Sequence, residues 1–267
     1  MSTRIPNDRL QRTAAGAIMS RPSCKRNVSR RTQAVSPRRI DPSVDYRRLG
    51  DLSTEFTNLW RQLQAFYLDA TVGFRLVREH VDEDQFRSRA NVRETELDSE
   101  EFQDTRSFTY QAIFSGEFCT SGIHRATQGE VKARNAPDGA NFIALGRLCL
   151  VSFYDYWNEY LRREIVVAKG KLDPQERDDA VKRRALREHG SHDLWGDIRL
   201  LRNSIVHNQG IATSDVAGCR LVKWFRPGNP IALTPDRMRL VFLGLLRYRN
   251  ELFAEQFPEH YIKVPER

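Results

Sequence analysis

Four cysteines in 267 residues, Cys24, Cys119, Cys149 and Cys219, stand far apart and form no Cys-x-x-Cys pair. That spacing excludes a zinc ribbon, a thioredoxin-like redox pair and the dense disulfide framework of a small secreted domain, and it points to reduced thiols in a cytoplasm. No stretch approaches the roughly 18 consecutive apolar residues that span a membrane. GxGxxG, GxxxxGKS/T and GxSxG patterns are also missing, which removes the commonest dinucleotide, nucleoside-triphosphate and serine-hydrolase sites. His189 and His192 offer two corners of a metal site, but they straddle Gly190 with no cysteine or third histidine near them in sequence. No metal and no cofactor is therefore expected.

Charge is present in excess but unevenly. The formal balance is +8; residues 1–50 carry eleven Arg and one Lys against three Asp, or +9, which leaves −1 for residues 51–267. The first 50 residues also hold four of the eleven prolines, three Arg–Arg pairs and no apolar period, the composition of a disordered basic arm. Three readings of that arm stay open. It holds nucleic acid through phosphate contacts, it is an extension from an upstream start codon with Met19 as the true start, or it is an Arg-rich, acid-poor targeting peptide.

From residue 51 the apolar pattern is helical. Phe56, Leu59, Trp60, Leu63, Phe66, Tyr67, Ala70, Phe74 and Val77 predict a long amphipathic helix over 53–80, with Ser53 as its cap. Residues 81–97 are mostly charged and read as a solvated connection. Asp98-x-x-Glu101 resembles a capping box opening a helix over 98–118, although Phe108, Tyr110, Ala112 and Phe114 alternate as a strand would. Residues 120–140 read as a loop whose length suggests a missed element. A helix over 141–169 is apolar nearly all round, as in the middle of a bundle or in an interface. Asp173-Pro174-Gln175-Glu176 predicts a helix start and Gly190 its end. Cys219 to Phe225 and Pro230 to Leu233 read as a small hairpin around a type II turn at Arg226-Pro227-Gly228-Asn229, before a last helix capped by Thr234-Pro235. The expected architecture is mainly all-α: a helical bundle with one small β-hairpin near the C-terminal part, its core at about 141–257 and helix 53–80 packed on it.

The chemistry is concentrated in residues 193–210. Read as a helix, this stretch aligns Leu194, Ile198, Leu201 and Ile205, widened by Trp195 and Val206, into an apolar face that must be buried. Arg202 lies at its margin; Arg199, Asn203 and His207 form the neighbouring line, and Gly210 ends the helix. Arg-x4-His recurs at Arg75/His80, Arg184/His189, Arg187/His192 and Arg202/His207, so spacing alone selects nothing. The fourth alone has an amide directly after the Arg, apolar residues at the two positions before the His, and a helix end just beyond it.

Arg202-Asn203-Ser204-Ile205-Val206-His207 resembles the Arg-polar-x-x-x-His signature of the HEPN superfamily. The resemblance covers about 141–257 and, less fully, 53–80; a hairpin between motif helix and last helix is not part of a minimal four-helix bundle. It implies a helical domain that dimerises to bring two signatures into one cleft. It also implies a metal-independent ribonuclease of toxin–antitoxin, abortive-infection or other defence systems, with Arg202, Asn203 and His207 as catalytic residues and RNA and an antitoxin protein as partners.

Elementary chemistry agrees with RNA cleavage by the strand's own 2′-hydroxyl. An imidazole transfers protons near neutral pH, and a guanidinium forks onto two phosphoryl oxygens. Two other readings stand beside it: a non-catalytic helical module that binds RNA or a protein in the same cleft, and an antitoxin-like scaffold. In the latter, Arg202 pairs with an acidic neighbour, Asn203 faces water and His207 caps the helix.

Overall fold

The structure is a computed structural model, and residues 41–90, 99–108, 126–253 and 257 are described. Residues 1–40, most of the expected basic arm, lie outside that range. Residues 46–50 do not belong to an arm, because helix α1 spans Tyr46–Ala90 and Leu49 is fully buried in it. The Arg47–Arg48 pair, arm-like in composition, hides a structural cation. Arg48 donates to Glu55 at 2.9 Å, to Glu164 at 3.1 Å and to the Tyr160 hydroxyl at 2.6 Å. Burial pushes its pKa down, but these three acceptors outweigh that and raise it.

At its other end α1 continues through the charged stretch expected to be a connection, since Val81 and Gln85 are buried there. Their cover is a small unit built in part from the expected loop over 120–140. Ser99, not Asp98, caps the short helix α2, Glu100–Thr105. Strand β1, Ser107–Phe108, then pairs antiparallel with β2, Ala126–Thr127. A reciprocal Thr127/Glu130 capping box opens α3, Gln128–Arg134. Lys132, mostly buried, joins the parts by reaching Gln85, Glu100 and Asp104 at 3.1–3.3 Å. The helix expected over 98–118 thus stops at Thr105, and its remainder from 109 lies outside the described residues.

The 141–169 helix forms as expected but with a π-turn inside it. Helix α4, Ala140–Tyr156, passes through a π-turn at Trp157–Leu161 into α5, Arg162–Ala168. The extra residue of a π-turn rotates the faces on either side of it relative to each other. Here it stands where Trp157 stacks on Trp195, with ring centroids 4.7 Å apart and planes 3° from parallel. α4 packs against α1, α7 and α8, so Phe142, Leu145, Cys149, Leu150 and Phe153 are buried within the chain itself. Burying this nearly all-round apolar helix therefore does not require a second copy.

Helix α6, Asp179–His189, starts five residues later than Pro174 suggests, with Asp178 as its cap. The Asp173 side chain accepts from the Gln175 N–H at 2.8 Å, so the same capping chemistry closes a turn instead of opening a helix. Helix α7, Asp193–His207, and helix α8, Pro235–Phe253, follow expectation. Among the described residues the small antiparallel pair is β1–β2, and no strand forms within 219–233. The type II turn is there: Gly228 has φ +83° and the Asn229 N–H donates to Arg226 O at 3.1 Å. The returning segment pairs instead with residues 210–212, through a bridge between Ile211 and Pro230 and the bonds Ile231 N–H to Gly210 O at 2.7 Å, Ala212 N–H to Asn229 O at 2.9 Å and Gly228 N–H to Ala212 O at 2.8 Å. The reason is Asp197 on α7. Its carboxylate accepts the N–H groups of Arg220, Leu221 and Val222 at 2.6–2.8 Å, the donors a hairpin partner would have satisfied. No helix among the described residues is long and apolar enough to cross a membrane.

Candidate active site

Helix α7 is fixed at both ends by devices that leave its last turn exposed. At the start His192 is the cap: its Nδ1 accepts the Leu194 N–H at 3.1 Å while Nε2 lies 3.2 Å from Glu251. Along the first two turns Leu194, Trp195, Ile198 and Leu201 are buried as the apolar stripe requires. The stripe then fades, with Ile205 only partly covered and Val206 47% exposed. This corrects the expectation that the whole face is buried. The change comes one turn before the helix ends, where α4 presents the polar Arg147 to Gly210.

At the end Ser204 is the hub. Its carbonyl accepts the N–H groups of Asn208 and Gly210 at 3.1 Å, and its hydroxyl meets both the Thr213 N–H and the Thr213 hydroxyl at 3.1 Å. The reversal needs two residues in the left-handed region, Gln209 at φ +53° and Gly210 at φ +78°. Arg147 of α4 locks it by donating to Ile231 O at 2.9 Å and Gly210 O at 3.1 Å. His207 is therefore the last helical residue, carried on a rigid corner with its side chain in solvent.

On that corner Arg202 and His207 meet, with Arg202 Nη1 3.2 Å from His207 Nε2. A guanidinium can only donate, so as a hydrogen bond this contact requires Nε2 to accept. Arg202 is held by α4 from the other side: Nη2 lies 3.3 Å from the Asp155 carboxylate and the guanidinium carbon 5.9 Å from the Tyr154 ring centroid. Its Nε is buried and has no hydrogen-bond partner among the described residues. Burial raises the pKa of the Tyr154 hydroxyl, and the guanidinium groups of Arg199, Arg162 and Arg202 pull against that shift. Asn203 is exposed and makes no side-chain hydrogen bond among the described residues. Of the three residues singled out in the sequence, two are brought together and the third stands apart.

The partners Tyr154 and Asp155 escape the sequence reading because they come from α4, and nothing in the local pattern of α7 encodes them. Their aromatic-plus-acid pairing on a helix expected to neighbour the motif was the available signal. Other reactive groups are turned away from chemistry. Burial pushes the thiols of Cys149 and Cys219 up to about 11, with the Asp197 carboxylate adding to the second, so neither is a thiolate nucleophile near neutral pH. Both ring nitrogens of His192 are engaged, and Arg184 and His189 face Glu188 at 3.5 and 3.9 Å. Among the four Arg-x4-His spacings only Arg202 and His207 are joined by a side-chain hydrogen bond among the described residues. No family model, no curated protein and no solved structure matches this chain.

Proposed function

We propose that the chain is a metal-independent endoribonuclease of the HEPN type, a toxin or defence effector, acting at the end of α7. The observation that carries this reading is the solvent-facing Arg202–His207 contact of 3.2 Å, with the guanidinium held from behind by Asp155 and Tyr154. A preorganised cation next to an imidazole nitrogen is what cleavage by an adjacent 2′-hydroxyl requires. His207 takes the proton of the 2′-hydroxyl as its oxygen bonds to phosphorus. Arg202 turns its fork onto the non-bridging oxygens as their charge grows, and the bond from phosphorus to the 5′-oxygen breaks. The leaving oxygen needs a proton, which in a homodimer with a shared cleft the partner's His207 supplies. Leu148 of α4 and Val206 of α7, both exposed, give such a dimer apolar surface to cover. Asn203 has no fixed place in the single chain and would act by orienting RNA or a partner-subunit group.

A second reading has its own support. The Arg202–Asp155 ion pair and the exposed Asn203 also suit a non-catalytic module that binds RNA or a protein such as an antitoxin at this corner. Incubating purified protein with single-stranded RNA in the presence of a chelator separates the two. The expected result is cleavage to a 2′,3′-cyclic phosphate, no cleavage of DNA, and loss of activity in His207→Ala. Cleavage that persists in His207→Ala, or that appears only with a divalent metal, overturns the mechanism. RNA binding without cleavage establishes the second reading.

A further inference from the structure

A cavity of about 540 Å³ lies alongside the first two turns of α7, bounded by the π-turn of the central helix and the end of α6. Four guanidinium groups line it: Arg162, Arg187, Arg199 and Arg220. Two are committed elsewhere. Arg162 donates to Gly190 O at 3.0 Å and Leu186 O at 2.8 Å, capping α6, and Arg220 pairs with Asp193 at 2.8 Å. The other lining carboxylate, Asp197, accepts the three backbone N–H groups described above. Arg187 and Arg199 are exposed and make no side-chain hydrogen bond or ion pair among the described residues. The cavity therefore carries two unneutralised, bidentate-capable cations.

Tyr154 connects this cavity to the Arg202–His207 corner. It lines the cavity, it stacks beneath Arg202, and its hydroxyl feels Arg162, Arg199 and Arg202 together. Arg199 and His207 lie on one helix eight residues apart, a rise of about 12 Å at about 1.5 Å per residue. A row of fork-shaped cations leading to a phosphoryl-handling pair fits a run of phosphodiesters better than a single anion. We propose that this cavity is the substrate-strand subsite: Arg187 and Arg199 hold backbone phosphates of single-stranded RNA upstream or downstream of the bond presented to Arg202 and His207. This rests on the ribonuclease reading. Here Arg187 and Arg199 are positioning residues.

The test uses full-length His207→Ala protein, in which RNA stays intact, and a fluorescein-labelled single-stranded oligoribonucleotide read by anisotropy over a range of salt. Adding Arg187→Ala and Arg199→Ala is expected to weaken binding at least tenfold at low salt. The log–log salt slope should become shallower by about 1.4, about 0.7 for each phosphate that the variant no longer neutralises. Arg199→Lys, which keeps the charge, should retain its share of the slope. Arg184→Ala, which does not line the cavity and is paired with Glu188, should bind as the His207→Ala parent does. An unchanged affinity and slope in the double variant overturns the subsite, as does absence of RNA binding at any salt. Displacement of the RNA by poly-glutamate at equal charge concentration would also overturn it, since the cavity would then read acidity and not phosphate. The ribonuclease reading fails separately, when the unmodified chain leaves RNA uncut; the subsite fails when the unmodified chain cuts RNA and the Arg187/Arg199 variants bind like their parent.

Discussion

The ends of α6 and α7 carry similar residues and do opposite things with them. Each finishes with an Arg, a His and a glycine: Arg184, His189 and Gly190 in one, Arg202, His207 and Gly210 in the other. At the end of α6 these groups are absorbed. The last carbonyls are capped by Arg162, Arg184 and His189 face Glu188, and the next histidine, His192, becomes the cap of the following helix. At the end of α7 the corner is closed by backbone bonds to Ser204 and by Arg147, so neither Arg202 nor His207 is needed to hold the turn. A histidine near a helix end is free for other work only where something else does the capping.

The widest gap between the two ends should appear in catalysis. Arg202→Ala should lower the rate of RNA cleavage by roughly 10²–10³, the worth of one preorganised donor to a developing oxyanion. Arg202→Lys should recover part of this, since an ammonium keeps the charge but not the fork. Arg184→Ala and His189→Ala should cleave within a few-fold of the parent. Equal losses at both ends, measured with one labelled substrate, would mean that the Arg202–His207 pair has no catalytic meaning.

Stability should separate the two glycines next. Gly210 has φ +78°, and a Cβ there would run into the Arg147 guanidinium that locks the corner. Gly210→Ala is therefore expected to cost about 2 kcal/mol in urea unfolding, from the left-handed backbone of a non-glycine residue plus the displaced arginine. Gly190 has φ −116°, and an added Cβ would approach Arg162 Cγ and Leu186 O at 3.0 Å, a tight contact that a shift of a few tenths of an ångström relieves, with no left-handed backbone to strain. The lower chain entropy of alanine when unfolded offsets part of that strain, so Gly190→Ala should stay within about 1 kcal/mol of the parent. A larger loss at Gly190 would reverse the assignment of the rigid corner.

What is legible in the sequence follows the range of the forces involved. Helices α7 and α8 and the end of α6 are readable because periodicity and a terminal glycine act within a few residues. The choice of Arg202 with His207 is readable for the same reason, being one turn of one helix. The start of α6 is not, because Asp173 and Asp178 can each close an Asx-type bond, and only tertiary packing decides which bond opens a helix. The hairpin expected over 219–233 fails because Cys219 to Phe225 alternates like a strand, while its actual partner is the single carboxylate of Asp197, more than 20 residues away. Composition places Leu49 and Arg48 in the arm, although the acceptors that hold Arg48 include Tyr160 and Glu164 from a distant helix. Helical adjacency groups Asn203 with the site, yet side chains one turn apart meet only when both have reason to turn inward.

The smallest expected difference concerns His192, and it tests whether a histidine in this chain can be structural alone. Its Nδ1 satisfies the Leu194 N–H at the start of α7, its Nε2 faces Glu251, and its ring lies edge-on to Tyr248 with centroids 4.7 Å apart. His192→Ala removes the cap acceptor and the ring packing, for a loss of about 1 kcal/mol, the usual worth of a helix cap. His192→Asn puts an acceptor back at the cap, where Asn is among the preferred residues, and should recover more than half of that loss. Urea unfolding of the two variants gives the stability difference, and cleavage of the labelled RNA gives the comparison with His207. Both His192 variants should cut RNA when assayed well below their unfolding midpoints, because the Arg202–His207 corner is four turns further along α7 and is closed by Ser204, Gly210 and Arg147. A His192→Ala protein that folds fully but has lost cleavage as completely as His207→Ala would place the active histidine at the start of α7 instead of at its end.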